Sequence, residues 1–381
     1  MNYFKPAKGK IYGLSFTATP TTGYVGYLGV RTDLSTDDNI RGEGSKDMTN
    51  YRSFWQFMPV GTNTFIIVNQ QTGGVLTVED NGSGNLYCTS KALDDNTPTI
   101  IGIQSNNVSY LYAFYIPSYD AYIYPVYDGA GTYHTSVEVK DSADDAAVWH
   151  LEDTSSDSYW TDNFPALANP NYALPDLPAV ASANKPAFDS EGNAPMITAM
   201  SLGKSTYIPF CLITDSSMSD SSKAITESPY YLLQQYEQYY QASCVENETA
   251  GTITLVDTWE YGSSESKSRN FTQEFGIKVG FNMTENEFIA KENESITASV
   301  DLGFQEGNTS TSSETMSKEV RVEVLPNNKL ALYGITTSYK LFRLSDATNV
   351  ANQQNPTAVS QMDDYAKMAN KFLTITYPLG S

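Results

Sequence analysis

Between residues 275 and 304 the chain alternates apolar and polar side chains with a period of two. One apolar set is Phe275, Ile277, Val279, Phe281 and Met283; the other is Ile296, Ala298, Val300, Leu302 and Phe304. The positions between them, Gly276, Lys278, Gly280 and Asn282, then Thr297, Ser299, Asp301 and Gly303, are small or polar. Successive β side chains point to opposite faces, so each run predicts a strand with one wholly apolar face. Each run has about the 9–11 residues that a tilted strand needs to cross a bilayer core. Thr284 to Ser295, between the runs, carries Glu285, Glu287, Glu292 and Glu294; such a tip passes through an aqueous lumen but resists resting in lipid. The pattern therefore fits a hairpin, 275–304, that leaves a folded body and becomes two staves of a transmembrane β-barrel. It equally fits a half-buried antiparallel pair in an ordinary sheet, which is the commoner use of such alternation.

Related patterns run through the rest of the second half. Ile253 to Tyr261, Lys267 to Met283, Ile296 to Gln305, Thr315 to Leu325 and Leu330 to Leu344 read as long strands, with Pro326-Asn327-Asn328-Lys329 as the turn joining the last two. Asn308 to Ser317, nearly all Ser, Thr and Glu, reads as a solvated edge or loop. Ser228-Pro229 before Tyr230-Tyr231-Leu232-Leu233 suits either a helix start or a strand, and Met362, Tyr365, Ala366 and Ala369 have the spacing of one short helix.

From Asp153 to Pro195 the pattern breaks at Phe164-Pro165, Asn169-Pro170, Leu174-Pro175, Leu177-Pro178 and Lys185-Pro186. Prolines forbid a central strand, so 154–195 is expected to be an extended linker or strap. Upstream of it, Trp55-Gln56-Phe57, Ile101-Gly102-Ile103 and Trp149-His150-Leu151 are expected to be equivalent, each ending a short apolar strand before a polar turn. Three short-stranded units at this spacing predict a β-trefoil, with a β-sandwich as the alternative. The expected plan is thus all-β: a trefoil over 1–153, the proline-rich linker, and a strand-rich domain over 196–381.

The composition agrees with strand and narrows the partners. Among 381 residues there are 27 tyrosines, and the formal net charge is −21. Nucleic acid is a poor partner for such a chain, and no polybasic run would hold an anionic lipid surface. No stretch reaches the length of a membrane helix, and Met1 to Gly13 lacks the apolar core of a secretion signal. The expectation is a protein made soluble that acts on membranes, if at all, by changing shape. Many phenols beside many carboxylates also predict loosening in strong alkali. Cys88, Cys211 and Cys244 are too few for a disulfide framework; a Cys211–Cys244 bridge and buried strand thiols both remain open. No Cys/His spacing resembles a metal site, and no cofactor motif is present.

Candidate chemistry lies in the trefoil. A shallow sugar site needs an aromatic ring for the sugar face and an acid or amide for its hydroxyls. Glu79, Asp80, Asn81 and Tyr87 cluster around Gly82 and Gly84 in the second unit; Tyr127, Asp128, Tyr133 and His134 cluster around Gly129 and Gly131 in the third. Each is also what a polar hairpin turn looks like. An enzyme is the rival class, but the sequence has only His134 and His150, no nucleophile elbow and no phosphate-cradling loop. Asp144-Asp145 and Asp363-Asp364 are adjacent pairs, as solvated turns commonly carry. The expectation is a non-enzyme, with a β-rich glycosidase as the lesser alternative.

Several blocks resemble the Bin-type (Tpp, or toxin-ten) insecticidal crystal toxins. Ile208-Pro209-Phe210-Cys211-Leu212-Ile213-Thr214-Asp215 is similar to their apolar block ending in Asp, Ser228-Pro229-Tyr230-Tyr231-Leu232-Leu233 to their Pro-Tyr-Tyr block, and Trp259-Glu260-Tyr261-Gly262 to the stretch before their hairpin. The resemblance covers about residues 196–345. It implies a lectin-like β-trefoil on an elongated aerolysin-like β-sheet pore-forming domain. It also implies a protein stored as a crystalline inclusion by a sporulating bacterium, dissolved in an alkaline insect midgut and trimmed by proteases. Such a protein binds a glycan, glycolipid or glycosylated receptor, self-associates as a dimer in the crystal and an oligomer in the pore, and in some cases needs a partner toxin. The sugar motif departs from the family's pattern, since Gln56 follows Trp55 directly, and the match fades after about residue 345. A lectin without pore activity is the alternative.

Overall fold

The computed structural model describes residues 2–4, 10–17, 25–30, 40–43, 54–61, 63–70, 72–80, 82–93, 97–127, 133–153, 177–262, 315–344, 360–362 and 372–379. The predicted hairpin 275–304 and the predicted helix around Met362 to Ala369 lie largely or wholly outside these residues. The chain forms two compact units.

In the first unit a short strand, β1 (Asn2–Tyr3), precedes twelve others among the described residues: β2 (Ile11–Thr17), β3 (Val25–Val30), β4 (Ile40–Glu43), β5 (Phe54–Gly61), β6 (Thr64–Asn69), β7 (Val75–Asp80), β8 (Leu86–Lys91), β9 (Ile100–Gln104), β10 (Tyr112–Ile116), β11 (Ala121–Tyr127), β12 (Tyr133–Glu138) and β13 (Trp149–Asp153). β2 pairs with β5, β5 with β6, β6 with β9, β9 with β10, β10 with β13, and β13 returns to β2. These six strands close into a ring. The remaining six form three hairpins, β3–β4, β7–β8 and β11–β12, and β12 also touches β4 and β8. Four strands repeated three times, a ring under a hairpin cap, is a β-trefoil.

The repeat is visible in the chemistry of the core. Trp55 and Trp149 are fully buried, and each donates its indole N–H to a carbonyl on the second strand of its own repeat, Leu28 at 3.0 Å and Ile123 at 2.8 Å. The predicted trios all fall on fourth strands, but they open those strands rather than end them. In the second repeat the equivalence is shifted by one position. Ile100 faces the core with both tryptophans and pairs with Phe65, as Trp55 pairs with Tyr12, while Ile101 sits in a separate outer cluster. Phe4 packs edge-on against Tyr12, Phe57, Phe65 and Tyr112. Gly102 leaves room for it, since a Cβ there would lie 2.8 Å from that of Phe4.

The segment Ile208–Tyr230 groups with this unit. It contains the helix Ser221–Glu227, which the sequence reading did not foresee; Asp220 caps it by accepting from the amides of Ser222 and Lys223. Gly73, at φ +66, lies against the Ser221 carbonyl, where a side chain would collide with backbone.

The second unit begins, among the described residues, with an extended segment, 177–200, whose only ladder contact is the single bridge Ile197↔Tyr240. Then come β14 (Ser201–Pro209), β15 (Tyr230–Asn247), β16 (Ile253–Gly262), β17 (Thr315–Val324), β18 (Asn328–Arg343), β19 (Ser360–Met362) and β20 (Phe372–Pro378). Tyr230 onward is therefore strand, resolving the ambiguity after Ser228-Pro229. β14, β15, β18 and β19 form a sheet in that order, with β20 also on β18. β15 and β18 pair from Tyr231↔Arg343 to Asn247↔Asn328 with one irregularity at Gln241/Ser243. The predicted turn joins β17 to β18, with Asn327 at φ +53, a left-handed position that Asn tolerates. β16 and β17 make a separate two-stranded ribbon in unbroken register, from Ile253↔Val324 to Gly262↔Thr315. Its Ile253, Leu255, Val320 and Val322 pack with Leu330 and Leu332, while Val256, Glu319, Arg321 and Glu323 face solvent.

None of the three cysteines forms a disulfide: Cys88 is buried on β8, Cys211 is half-buried in a 3-10 turn, and Cys244 is exposed on β15. The Cys211–Cys244 bridge is not formed, and only Cys88 matches the buried strand thiol.

Burial pushes the Tyr236 and Tyr333 phenols above the ordinary value of 10.0. A raised phenol pKa favours the protonated folded state; that stability is complete below pH 10 and is lost as pH climbs through the folded-state values. We expect the urea midpoint to be flat from pH 8 to 9 and to fall above about pH 10, in step with tyrosinate absorbance. A midpoint unchanged to pH 11 would show that these phenols do not hold the sheet.

Candidate carbohydrate-binding surface

The two clusters predicted from sequence occupy equivalent places in the trefoil, the tips of the second-to-third-strand hairpins of their repeats. In the β7–β8 hairpin, Glu79 and Tyr87 are direct cross-strand partners, and Asp80 faces Leu86. The Tyr87 hydroxyl donates to Glu79 Oε2 at 3.2 Å, and Lys91 Nζ contacts Oε1 of the same carboxylate. Asp80 turns inward on its own loop: its Oδ1 accepts from the amides of Gly82 at 2.8 Å and Gly84 at 3.0 Å. Both glycines have φ near +80°, the conformation this tight turn demands. Glu79, Asp80 and Tyr87 are thus brought together, but their acceptors already serve the hairpin. Asn81 lies outside the described residues.

In the β11–β12 hairpin, Tyr127 pairs with Tyr133, and Val126 with His134. Tyr127, Tyr133 and His134 therefore flank one hairpin mouth, while Asp128 falls outside the described residues. The candidate membrane-hairpin residues, Phe275 to Met283 and Ile296 to Phe304, fall outside them as well. Among the described residues no group of His, Cys, Asp or Glu is arranged to hold a metal.

A further aromatic-and-acid cluster escaped the sequence reading. At the β10–β11 turn, Pro117–Tyr119 forms one turn of 3-10 helix, closed by Asp120 in a left-handed conformation at φ 47. Asp is one of the few residues that adopts this conformation locally. Asp120 Oδ1 accepts from the Tyr115 hydroxyl at 2.8 Å, and Tyr115 packs on its cross-strand partner Tyr122, with ring centroids 5.1 Å apart. The hydrogen bond to Asp120 raises the Tyr115 phenol pKa, with burial adding to it; burial leads the rise at Tyr122, followed by the Asp120 charge. Along β11, Tyr122 and Tyr124 alternate with buried Ala121, Ile123 and Pro125, so both rings stand on the outer face. Lys140 Nζ sits 3.9 Å over the Tyr124 ring and 2.6 Å from Glu138 Oε2. The available signal was the phase of these tyrosines, which occupy positions where an ordinary two-sided strand puts polar residues.

No family model and no curated protein matches the chain. Among solved structures, Cry35Ab1 is 15% identical and aligns with a TM-score of 0.62 over 97% of this chain and 90% of its own. The Polyporus squamosus lectin, solved with a sialylated epitope, covers 40% of this chain and 50% of its own at 14% identity and a TM-score of 0.31. The Macrolepiota procera ricin B-like lectin, solved with lactose, covers 39% and 99% at 12% identity and a TM-score of 0.30. The likeness to Bin-type toxins read in the sequence blocks is matched by the architecture: this chain has the fold of Cry35Ab1, a β-trefoil joined to a β-sheet domain.

Proposed function

We propose that the protein is a β-pore-forming toxin whose trefoil binds glycans on the target membrane and whose second unit supplies the barrel strands. The observation that carries the reading is the register of β16 and β17. Their inner face, Ile253 and Leu255 against Val322 and Val324, is apolar. Carried onward without a slip, the same register pairs Phe275 with Leu302, Ile277 with Val300, Val279 with Ala298 and Phe281 with Ile296. Four of the five apolar positions of each run then meet an apolar position of the other, in phase with the base of the ribbon, while Met283 falls opposite Glu294 and Phe304 opposite Gln273.

Two strands cannot sit in a bilayer alone, since each unpaired backbone group in hydrocarbon costs several kcal/mol. Copies therefore join edge to edge until the ladder closes. Ten apolar side chains per copy reach lipid, a gain on the order of 10–20 kcal/mol when buried. Receptor binding by the trefoil concentrates copies enough for that gain to be realised. Lys278 and Asp301, on the opposite face, are tolerated toward a water-filled lumen. The resemblance of the sequence blocks to the Bin-type toxins extends the proposal to an insect target, to storage as a crystalline inclusion in a sporulating cell, and to action with a second toxin. Catalysis has no part in the proposal.

Planar-bilayer recording after protease treatment tests the class. Stepwise, persistent conductance is expected with protein added to glycolipid-containing membranes. Glycan binding without conductance would leave a lectin and overturn the pore.

A further inference from the structure

We infer that the outer face of β10, β11 and β12 in the third repeat is a binding surface for an uncharged oligosaccharide, separate from the hairpin tips. The inference rests on the glycan-binding part of the proposed function and locates the site. Register aligns Tyr115, Tyr122 and Glu138 as one row across three strands, and Tyr124 beside Ser136 as the next. The rows carry half-buried tyrosine rings held in place by their neighbours. Tyr115 and Tyr122 pack on each other and on the Ile103, Ala113, Ala146 and Ala147 cluster, Tyr115 is also anchored by Asp120, and Tyr124 is held by the Lys140 ammonium, so the part of each ring left open is what a ligand can meet. Rings that are already fixed lose little conformational freedom when a ligand stacks on them.

The polar groups complete the match. Asp120 is exposed at the turn, and its Oδ2 has no hydrogen-bond partner among the described residues, while Oδ1 is anchored by Tyr115. Its left-handed backbone, which Asp adopts readily, sets the carboxylate at the end of the aromatic row. Tyr119, on the same turn, is 36% exposed. At the other end Glu138 is held by Ser136 at 2.8 Å and by Lys140. A sugar ring offers what this surface lacks: C–H faces for the tyrosines and hydroxyl donors for Asp120. The carboxylates at both ends, on a chain of net charge −21, disfavour sialylated or sulfated glycans.

The test uses the full-length protein on an array of neutral, sialylated and sulfated glycans, followed by calorimetry with the best neutral hit. Neutral glycans are expected to bind, sialylation of the same core to weaken binding, and Asp120→Asn to weaken it about tenfold or more. Asn keeps the left-handed turn, so near-UV circular dichroism should be unchanged. Tyr124→Ala should give a comparable loss. If Asp120→Asn and Tyr124→Ala bind as the parent while Asp80→Asn or Asp128→Asn does not, the outer face is wrong and glycan binding stands at the hairpin tips. If charged glycans bind best, the neutral assignment is overturned. If no glycan binds, the glycan-binding reading falls together with the site.

Discussion

Replacing Val279 or Val300 by Asp is expected to abolish dye release from liposomes while leaving glycan binding and thermal stability as in the parent protein. A carboxylate at the middle of a lipid-facing barrel strand is destabilising, by less than the roughly 2–4 kcal/mol of a basic residue there, and a valine's burial is forfeited as well. Because a barrel repeats the site in every copy, the penalties multiply across the assembly, and partial activity is not expected. The same substitution at Ser299, on the lumen-facing side of the second run, should be tolerated. Dye release by Val279→Asp within a few-fold of the parent would remove the hairpin from the mechanism.

The second large effect is on the trefoil. Trp149→Ala is expected to cost about 3–5 kcal/mol, because it opens a cavity where a fully buried indole packs on Phe16 and Phe114. It also leaves the Ile123 carbonyl without its side-chain donor. Trp149→Phe keeps most of the ring volume and should cost about 1–3 kcal/mol, chiefly the lost hydrogen bond. Trp55→Ala and Trp55→Phe should follow the same order, since Trp55 makes the equivalent bond to Leu28. Urea unfolding read by near-UV circular dichroism checks this. A Trp149→Ala variant within about 1 kcal/mol of the parent would show that the repeat's indoles are not structural equivalents.

Where the chain buries one face of a strand, its sequence showed the strand. β16 and β17 were legible by their alternation, whereas β18, buried on both faces from Leu330 to Thr336, was legible as an apolar run opened by the Pro326-Asn327 turn. β14 and the long run of β15 were not. The first six residues of β15 are buried on both faces, including Gln234 and Gln235 at 0% exposure. Gln235 reaches the Tyr339 hydroxyl at 2.8 Å, and Gln234 accepts from the Tyr236 hydroxyl at 2.6 Å. Polar side chains satisfied inside a sheet erase the period that sequence patterns rely on. The repeat was legible through its tryptophans, but its second unit was aligned one position off, since nothing in Ile100-Ile101 tells which side chain faces in. Glu79, Asp80 and Tyr87, grouped in sequence as a candidate sugar site, share the β7–β8 hairpin; that Asp80 is occupied by Gly82 and Gly84 depends on a turn geometry no spacing reveals. Tyr115, Tyr122 and Tyr124 went unnoticed because tyrosine counts as a strand former wherever it points.

The six-strand ring of the trefoil returns to its own first strand, whereas β16 and β17 pair only with each other among the described residues. A ring without a rim gives a neighbouring molecule nothing to template on; a bare ribbon offers two flanks for growth. In the proposed assembly the trefoil would crowd on a cell surface without seeding fibres, and the ribbon would hold the flanks along which copies add.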